Sequence, residues 1–404
     1  MSETRPGPLD DQPREVLAGR PPLPGAEHFV APGGEDRETD RVLLDRADLD
    51  APTRVLIWRR FRRHKLGLAS LVFLVLGYAL LPFLEVLAPY PPNLFDEDNI
   101  YAPPQGLHLF HDGAFTGLHT YPTATVYEPE TGFVVQRTDY DRPLPVPLFA
   151  TCGEPYRLLG LIESRFRVIC PPQDGALFLV GSDRLGRDML SRMIYGARLS
   201  MTIGLIGVAV SFAIGLVLGG MAGFFGGWID SLVQRAIEVF RSLPELPIWL
   251  ALSAALPIHW GPITVFFMIS VILGLLDWPG LARAVRSKFL ALREEDYVRA
   301  AELMGASPSR IIARHMMPNF TSHLIASASL SIPAMILGET ALSFLGLGLR
   351  PPAVSWGMML NDALNLAAVE IYPWLLAPMI PVILAVLAFS FVGDALRDAL
   401  DPYS

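Results

Sequence analysis

Apolar runs long enough to cross a bilayer alternate with charged segments along most of this chain. A helical span needs about 20 mostly apolar residues, and six stretches qualify, at about 66–88, 199–224, 232–256, 262–282, 320–347 and 374–393. An even number of spans puts both termini on one side. Between the first two spans lies segment 89–198, whose first half (YAPPQGLHLF, TATVYEPETGFVVQRTDY) is rich in Pro, aromatic and β-forming residues. That is the pattern of short strands and turns. The prediction is an all-α polytopic membrane protein of six transmembrane helices, with a small extracytoplasmic β-rich insertion between helices 1 and 2. Its divisions are a tail (1–53), a first helix with a basic flank (54–88), the insertion ending in an interfacial helix (89–198), and a five-helix core (199–404). The core contains a charged cytoplasmic loop, 285–319.

Composition agrees with the membrane reading. The chain is 51% hydrophobic and only 18% charged, with a mean hydropathy of +0.38, too apolar for an ordinary soluble protein of 404 residues. The net charge of −8 reports the tail, where residues 1–53 hold twelve Asp/Glu against six Arg. That tail shows no apolar core of a cleavable signal and is expected to be disordered. Arg54, Arg59, Arg60, Arg62, Arg63 and Lys65 precede the first span, so the positive-inside rule places this flank, and both termini, in the cytoplasm. The loop after span four agrees, with Arg283, Arg286, Lys288, Arg293, Arg299, Arg310 and Arg314, whereas the loop at about 348–373 holds only Arg350. Arg184, Arg187, Arg192 and Arg198 lie on the other side, at the end of a long translocated segment that obeys charge bias weakly. In GSDRLGRDMLSRMIYGARLS, Leu185, Met189, Met193 and Ile194 are near helical spacing, the pattern of a helix lying on the membrane surface. Cys152 and Cys170, both on the oxidising side, are expected to pair; two independent buried thiols are the alternative.

Within the spans, Gly215, Gly219 and Gly223 recur every fourth residue and share a helix face that admits another backbone closely. Packing inside this subunit and packing against a partner are both open. Pro244, Pro247 and Pro279 are expected to bend spans three and four. Intramembrane carboxylates are few: Glu245 and Glu339 are candidates for a translocation path, while Asp277 and Asp394 are placed near arginines that would pair with them. No succession of Asp, Glu and His runs through the spans, as a proton-driven pump requires. Because the only lysines follow His64 and Ser287, no phosphate-binding G-x4-G-K-[ST] loop is possible. No Gly-x-Ser-x-Gly elbow, H-E-x-x-H pair or Cys/His zinc spacing occurs either. His108, His111 and His119 form the nearest approach to a metal cluster, without an evident fourth ligand. The expectation is a chain with no catalytic, cofactor or metal residues and no nucleic-acid partner.

The loop LREEDYVRAAELMGASPSRIIARHMMPN, 292–319, is the most specific segment. Tyr297, Ala300, Ala301 and Met304 are spaced i, i+3, i+4, i+7 and form one apolar stripe flanked by Glu294, Glu295 and Arg299. Gly305 stands where a helix ends in the left-handed region, and Ser307–Pro308 restart a second helix expected over about 308–317. Docking onto a soluble partner and lying on lipid both fit such a stripe.

Ala300-Ala301-x3-Gly305 with Pro318 beyond resembles the EAA loop of permease subunits of ABC importers, and RAAELMGASPSRIIARHMMPN resembles its oligopeptide/dipeptide branch, including the microcin C-like transporters. Arg299 stands in place of the name-giving Glu. RRFRRHKLGLASLVFL, GSDRLGRDMLSRMIYGARLS, ETALSFLGLGLRPPAVSWG and GDALRDALDP are similar to the second permease of that branch. The resemblance implies a non-enzymatic transport subunit in the bacterial inner membrane, part of a heterodimer of related permeases with two cytoplasmic ATPases, which hold the ATP and Mg, and an extracytoplasmic solute-binding protein. It implies ATPase coupling through Tyr297, Arg299, Ala300, Ala301, Met304, Gly305, Ala306 and Arg310. Peptides are the expected cargo; related transporters carry nickel chelates, opines or oligosaccharides. A membrane-anchored extracytoplasmic binding or sensor protein is the competing reading.

Overall fold

The structure, a computed structural model, describes residues 53–127, 134–158 and 161–400. The expected tail, but for Thr53, lies outside the described residues. Helix α1, Thr53–Arg63, carries the basic flank, and His64 then caps α2, Lys65–Leu80, its Nδ1 accepting from the Gly67 amide at 3.1 Å. After a tight turn with Pro82, α3, Leu84–Leu87, completes the first apolar span.

Seven strands follow: β1 (His108–His111), β2 (Ala114–Thr120), β3 (Thr123–Tyr127), β4 (Val134–Thr138), β5 (Leu144–Pro145), β6 (Leu148–Leu158) and β7 (Ile162–Ile169). They form three small antiparallel sheets, β1-β2-β5, β3-β4 and β6-β7. Cys152 and Cys170, on or just past β6 and β7, are joined in a disulfide with a Cα separation of 6.0 Å. Arg167, only 1% exposed, anchors β7 to the end of the first span by donating to the Ala88 carbonyl at 2.6 Å.

The helical core consists of α4 (Met189–Phe225), α5 (Gly227–Ser242), α6 (Glu245–Ala254), α7 (Pro262–Leu292), α8 (Asp296–Leu303), the single turn α9 (Pro308–Arg310), α10 (Thr321–Phe344), α11 (Trp356–Leu360), α12 (Leu366–Ile371) and α13 (Met379–Leu400). Among the described residues five helical stretches are long and apolar enough to cross a membrane: Lys65–Leu87, Met189–Phe225, Pro262–Leu292, Pro308–Phe344 and Pro373–Leu400. The stretch expected as span three, 232–256, is instead two helices broken at Leu243–Pro244. Proline lacks the amide that would continue the ladder and pushes its predecessor into extended geometry; Leu243 has ψ 138°.

No separate surface helix precedes the second span. Asp188 caps α4, accepting from the Ser191 amide at 2.8 Å, and the helix then runs unbroken for 37 residues. Its first turn is held by the protein, since Met189 is buried against Val354 and Met359. Ahead of it, Asp183 organises the chain: its carboxylate accepts from the Leu185 and Arg187 amides and from Arg187 Nε at 2.7 Å, with Arg192 Nη1 at 3.4 Å. All three side chains are buried. Burial pushes the neighbouring Asp188 carboxyl up to about 6, against the opposing hydrogen bonds from Ser191.

Helices α4 and α7 pack most intimately. A Cβ on Gly219 would lie 2.5 Å from the Ala282 carbonyl oxygen, and one on Gly223 would lie 2.8 Å from that of Arg286. Gly215 faces the Leu281 side chain. The glycine face is thus turned to a helix of the same chain. A large apolar cluster joins this pair to α2, α10 and α13 through Leu74, Ile203, Ile269, Leu273, Ile336 and Phe389.

Candidate functional site

The charged loop begins where α7 ends. Arg293 and Glu294 turn the chain, and Glu294 pairs with Arg293 at 3.1 Å and also with Arg299. Those arginines hold the Glu294 carboxyl below its ordinary range. Helix α8 stops at Leu303, and Gly305 takes φ +77°, the left-handed geometry anticipated at that position. Pro308 then opens the next helix at its first turn.

The expected stripe divides into two faces. Ala301 is 1% exposed and Val298 is fully buried; they join Leu281, Val285, Phe289 and Leu292 of α7 with Ile311, Met316 and Phe320 in one apolar cluster. Tyr297 and Ala300 are exposed, and Met304 is 80% exposed. Leu303, at 90% exposure, belongs with them, although the periodicity did not single it out. Arg299 and Arg310 are exposed and Ala306 is half-buried. The small helix is therefore clamped to the end of α7 on one side and presents Tyr297, Ala300, Leu303 and Met304 on the other. Exposed apolar side chains thus stand together next to charged residues on this face.

The second helix of the loop does not end at Pro318. Residues Ile311–Met316 form a wide π turn and Met317–Phe320 a tight 3₁₀ turn, and both run directly into α10. The π turn and the 3₁₀ turn accommodate the missing amide of Pro318. Asn319 fixes the junction by donating to the Tyr297 hydroxyl at 2.9 Å and to the His315 carbonyl at 3.0 Å. The loop and the span thus form one mechanical piece.

The intramembrane carboxylates are placed differently from expectation. Glu339 is fully buried inside this chain and does not face an open path. Its Oε1 accepts from Ser343 Oγ at 2.7 Å and from Ser355 Oγ at 2.8 Å, tying α10 to the start of α11. Glu245 is exposed, immediately after the break at Leu243–Pro244. Asp277 does not pair with Arg283 or Arg286. It lies midway along α7, where Ser211 donates to it at 3.1 Å and Glu245 and Arg241 are its charged neighbours. Arg286 is taken by Asp230 on α5, and among the described residues Asp394 makes no ion pair with Arg397.

In the insertion His111 Nδ1 and His119 Nε2 lie 3.1 and 3.3 Å from the Tyr121 hydroxyl. His119 Nδ1 is bonded to the Gly117 carbonyl at 2.8 Å, and the His108 ring packs 5.1 Å from Tyr121. The rings pack around a tyrosine, and among the described residues no group of His, Cys, Asp or Glu has the convergence a metal ion needs.

Several apolar spans, a glycine-packed helix pair and a clamped helix with a bare apolar face define a multi-pass membrane protein. Comparison with known proteins gives the family. Residues 215–403 match the model of the binding-protein-dependent transport system inner membrane component, and residues 54–104 match the N-terminal TM domain of oligopeptide transport permease C. The chain is 39% identical over 222 residues to the dipeptide transport system permease protein DppC of Bacillus subtilis, covering 55% of this chain and 68% of that protein. It is 38% identical over 237 residues to the oligopeptide transport system permease protein OppC of Haemophilus influenzae, covering 57% and 72%. For the Di/tripeptide transport system permease protein DppC of Pseudomonas aeruginosa the figures are 40% over 228 residues, 56% and 73%. Among solved structures, an inward-facing MetNI methionine ABC transporter chain is similar at TM-score 0.40 and 18% identity, over 53% of this chain and 98% of that one. The chain belongs to the family of inner membrane components of binding-protein-dependent transport systems.

Proposed function

We propose that this chain is a permease subunit that passes di- and oligopeptides, delivered by a solute-binding protein, through the inner membrane. Loop 292–317 docks into a cytoplasmic ATPase. The observation that carries the docking is the two-faced α8, with Val298 and Ala301 packed on α7 while Leu303 and Met304 stand 90% and 80% exposed. The cargo rests on the relatives, which are named as peptide permeases. The α5–α6 pair is read as the sixth crossing, with Arg241, Glu245 and Asp277 facing the path, because charges at mid-span need water or a partner. Both termini and the loop lie in the cytoplasm, and the β-rich insertion lies outside. The partners are a second permease, two ATPases that hold ATP and Mg, and the binding protein; this chain performs no catalysis.

Leu303→Glu with Met304→Glu in the intact transporter should abolish ATP-dependent dipeptide uptake and co-purification of the ATPase, while the chain still reaches the membrane. Undiminished uptake and co-purification would overturn the docking reading.

A further inference from the structure

A cavity of about 330 Å³ opens where α7 and α13 end and α10 begins. Lys288, His323 and Arg397 line it, together with Asn319, Phe320 and Leu400. The three basic side chains converge, since Lys288 and Arg397 both lie within electrostatic reach of His323. Among the described residues none of the three has an ion-pair partner. Asp394 and Asp398 follow the same helix but do not line the cavity. The two unpaired charges of Lys288 and Arg397, with His323 as a polar neighbour, are stabilised by an anion.

The apolar half of the site says which kind of anion. Phe320 is buried and its ring stacks on His323 at 4.8 Å. His323 and Leu330 are two turns apart on one face of α10. Leu330 in turn packs where a side chain on Gly393 would stand, one turn before Arg397 on α13. Leu330 remains 39% exposed. Beyond the basic cavity, Leu330 closes the α10–α13 seam over Gly393 and leaves an apolar surface exposed along it. Basic pockets between spans at the membrane boundary recognise anionic headgroups.

We propose that this cavity binds the phosphate of an anionic phospholipid, whose acyl chain lies along the exposed α10–α13 surface at Leu330. Asn319, which lines the cavity, also bonds Tyr297 of α8, so the headgroup touches the junction between the coupling loop and its span. The inference requires the chain to sit in a membrane and is independent of the cargo.

The test is native mass spectrometry of the intact transporter, taken from nanodiscs of mixed phosphatidylglycerol and phosphatidylcholine. Wild type should retain phosphatidylglycerol selectively. Lys288→Gln with Arg397→Gln should weaken retention roughly fivefold for each charge removed, and the pair Lys288→Arg with Arg397→Lys should restore it. Equal retention of both lipids by wild type would overturn the proposal, as would unchanged retention in the glutamine variant. Occupancy by added inorganic phosphate without lipid selectivity would reduce the site to an adventitious ion only.

Discussion

Replacing glycines with alanine separates helix propensity from helix packing in this core. Inside a helix each Gly→Ala change gains roughly 1 kcal/mol from propensity alone. At Gly280 on α7 the new methyl meets nothing within 4 Å, so that gain should be realised in full. At Gly219 on α4 it would lie 2.5 Å from the Ala282 carbonyl oxygen and 2.9 Å from its Cα. These are backbone atoms of α7 and cannot rotate away. Relief requires the two helices to part, and overpacking of this kind costs about 1–3 kcal/mol. With the firm backbone contact drawing on the upper part of that range, Gly219→Ala should be a net loss of about 1–2 kcal/mol, placing it roughly 2–3 kcal/mol below Gly280→Ala. Gly215→Ala should fall between, because its nearest neighbours are Leu281 side-chain atoms at 3.0–3.1 Å that can shift. Chemical unfolding of the detergent-solubilised chain, followed by circular dichroism, measures the order. Equal stability of Gly219→Ala and Gly280→Ala would refute the close α4–α7 contact.

Breaking the disulfide with Cys152→Ser should cost the β6–β7 hairpin about 3 kcal/mol by the chain-entropy account of a loop of this size, read as faster proteolysis of the insertion while the helical core persists. Asp188 gives a pH signature: its folded carboxyl is raised from 3.8 to about 6, so the folded state holds the proton more tightly, stability is greatest below the unfolded pKa, and it falls as pH rises from about 4 to 6. The size is roughly 3 kcal/mol for a shift of this magnitude. Asp188→Asn keeps a competent N-cap and should flatten that limb in unfolding measured across the window. Ala301→Arg, placing a charge in the buried cluster, should loosen loop 292–317 to hydrogen exchange, whereas Leu303→Glu on the exposed face should leave stability within about 0.5 kcal/mol.

Long apolar runs and the four-residue glycine repeat were legible because each is a local, periodic signal. The disulfide was legible for another reason, because both cysteines fall in the one segment expected on the oxidising side. Pro244 marked a bend in the third stretch, but averaged hydropathy hid that it divides an amphipathic helix, α5, from an apolar one, α6. On α8, apolar type misled. Tyr297 and Met304 are exposed while Val298 is buried, because which side of a short helix turns inward depends on where α7 ends. Arg187 and Arg192 read only as charges on the translocated side, whereas the structure buries both against Asp183. The link between Glu339 and Ser355 spans 16 residues and a turn. No periodicity encodes such pairings.

Under the proposed docking, a push on the loop would reach the membrane through these elements. Val298 and Ala301 share one cluster with Val285, Phe289 and Leu292, so α8 cannot move without loading the end of α7. Further up, α7 is bound to α4 by backbone proximity at Gly219 and Gly223, a contact with no soft side chain to absorb displacement. The loop also continues through the Asn319 junction into α10. Close-packed elements transmit strain rather than dissipating it. The compliant place is the break at Leu243–Pro244, where no helical hydrogen-bond ladder runs through. Motion delivered to α7 should therefore appear as a change in angle between α5 and α6, beside Asp277 and Glu245.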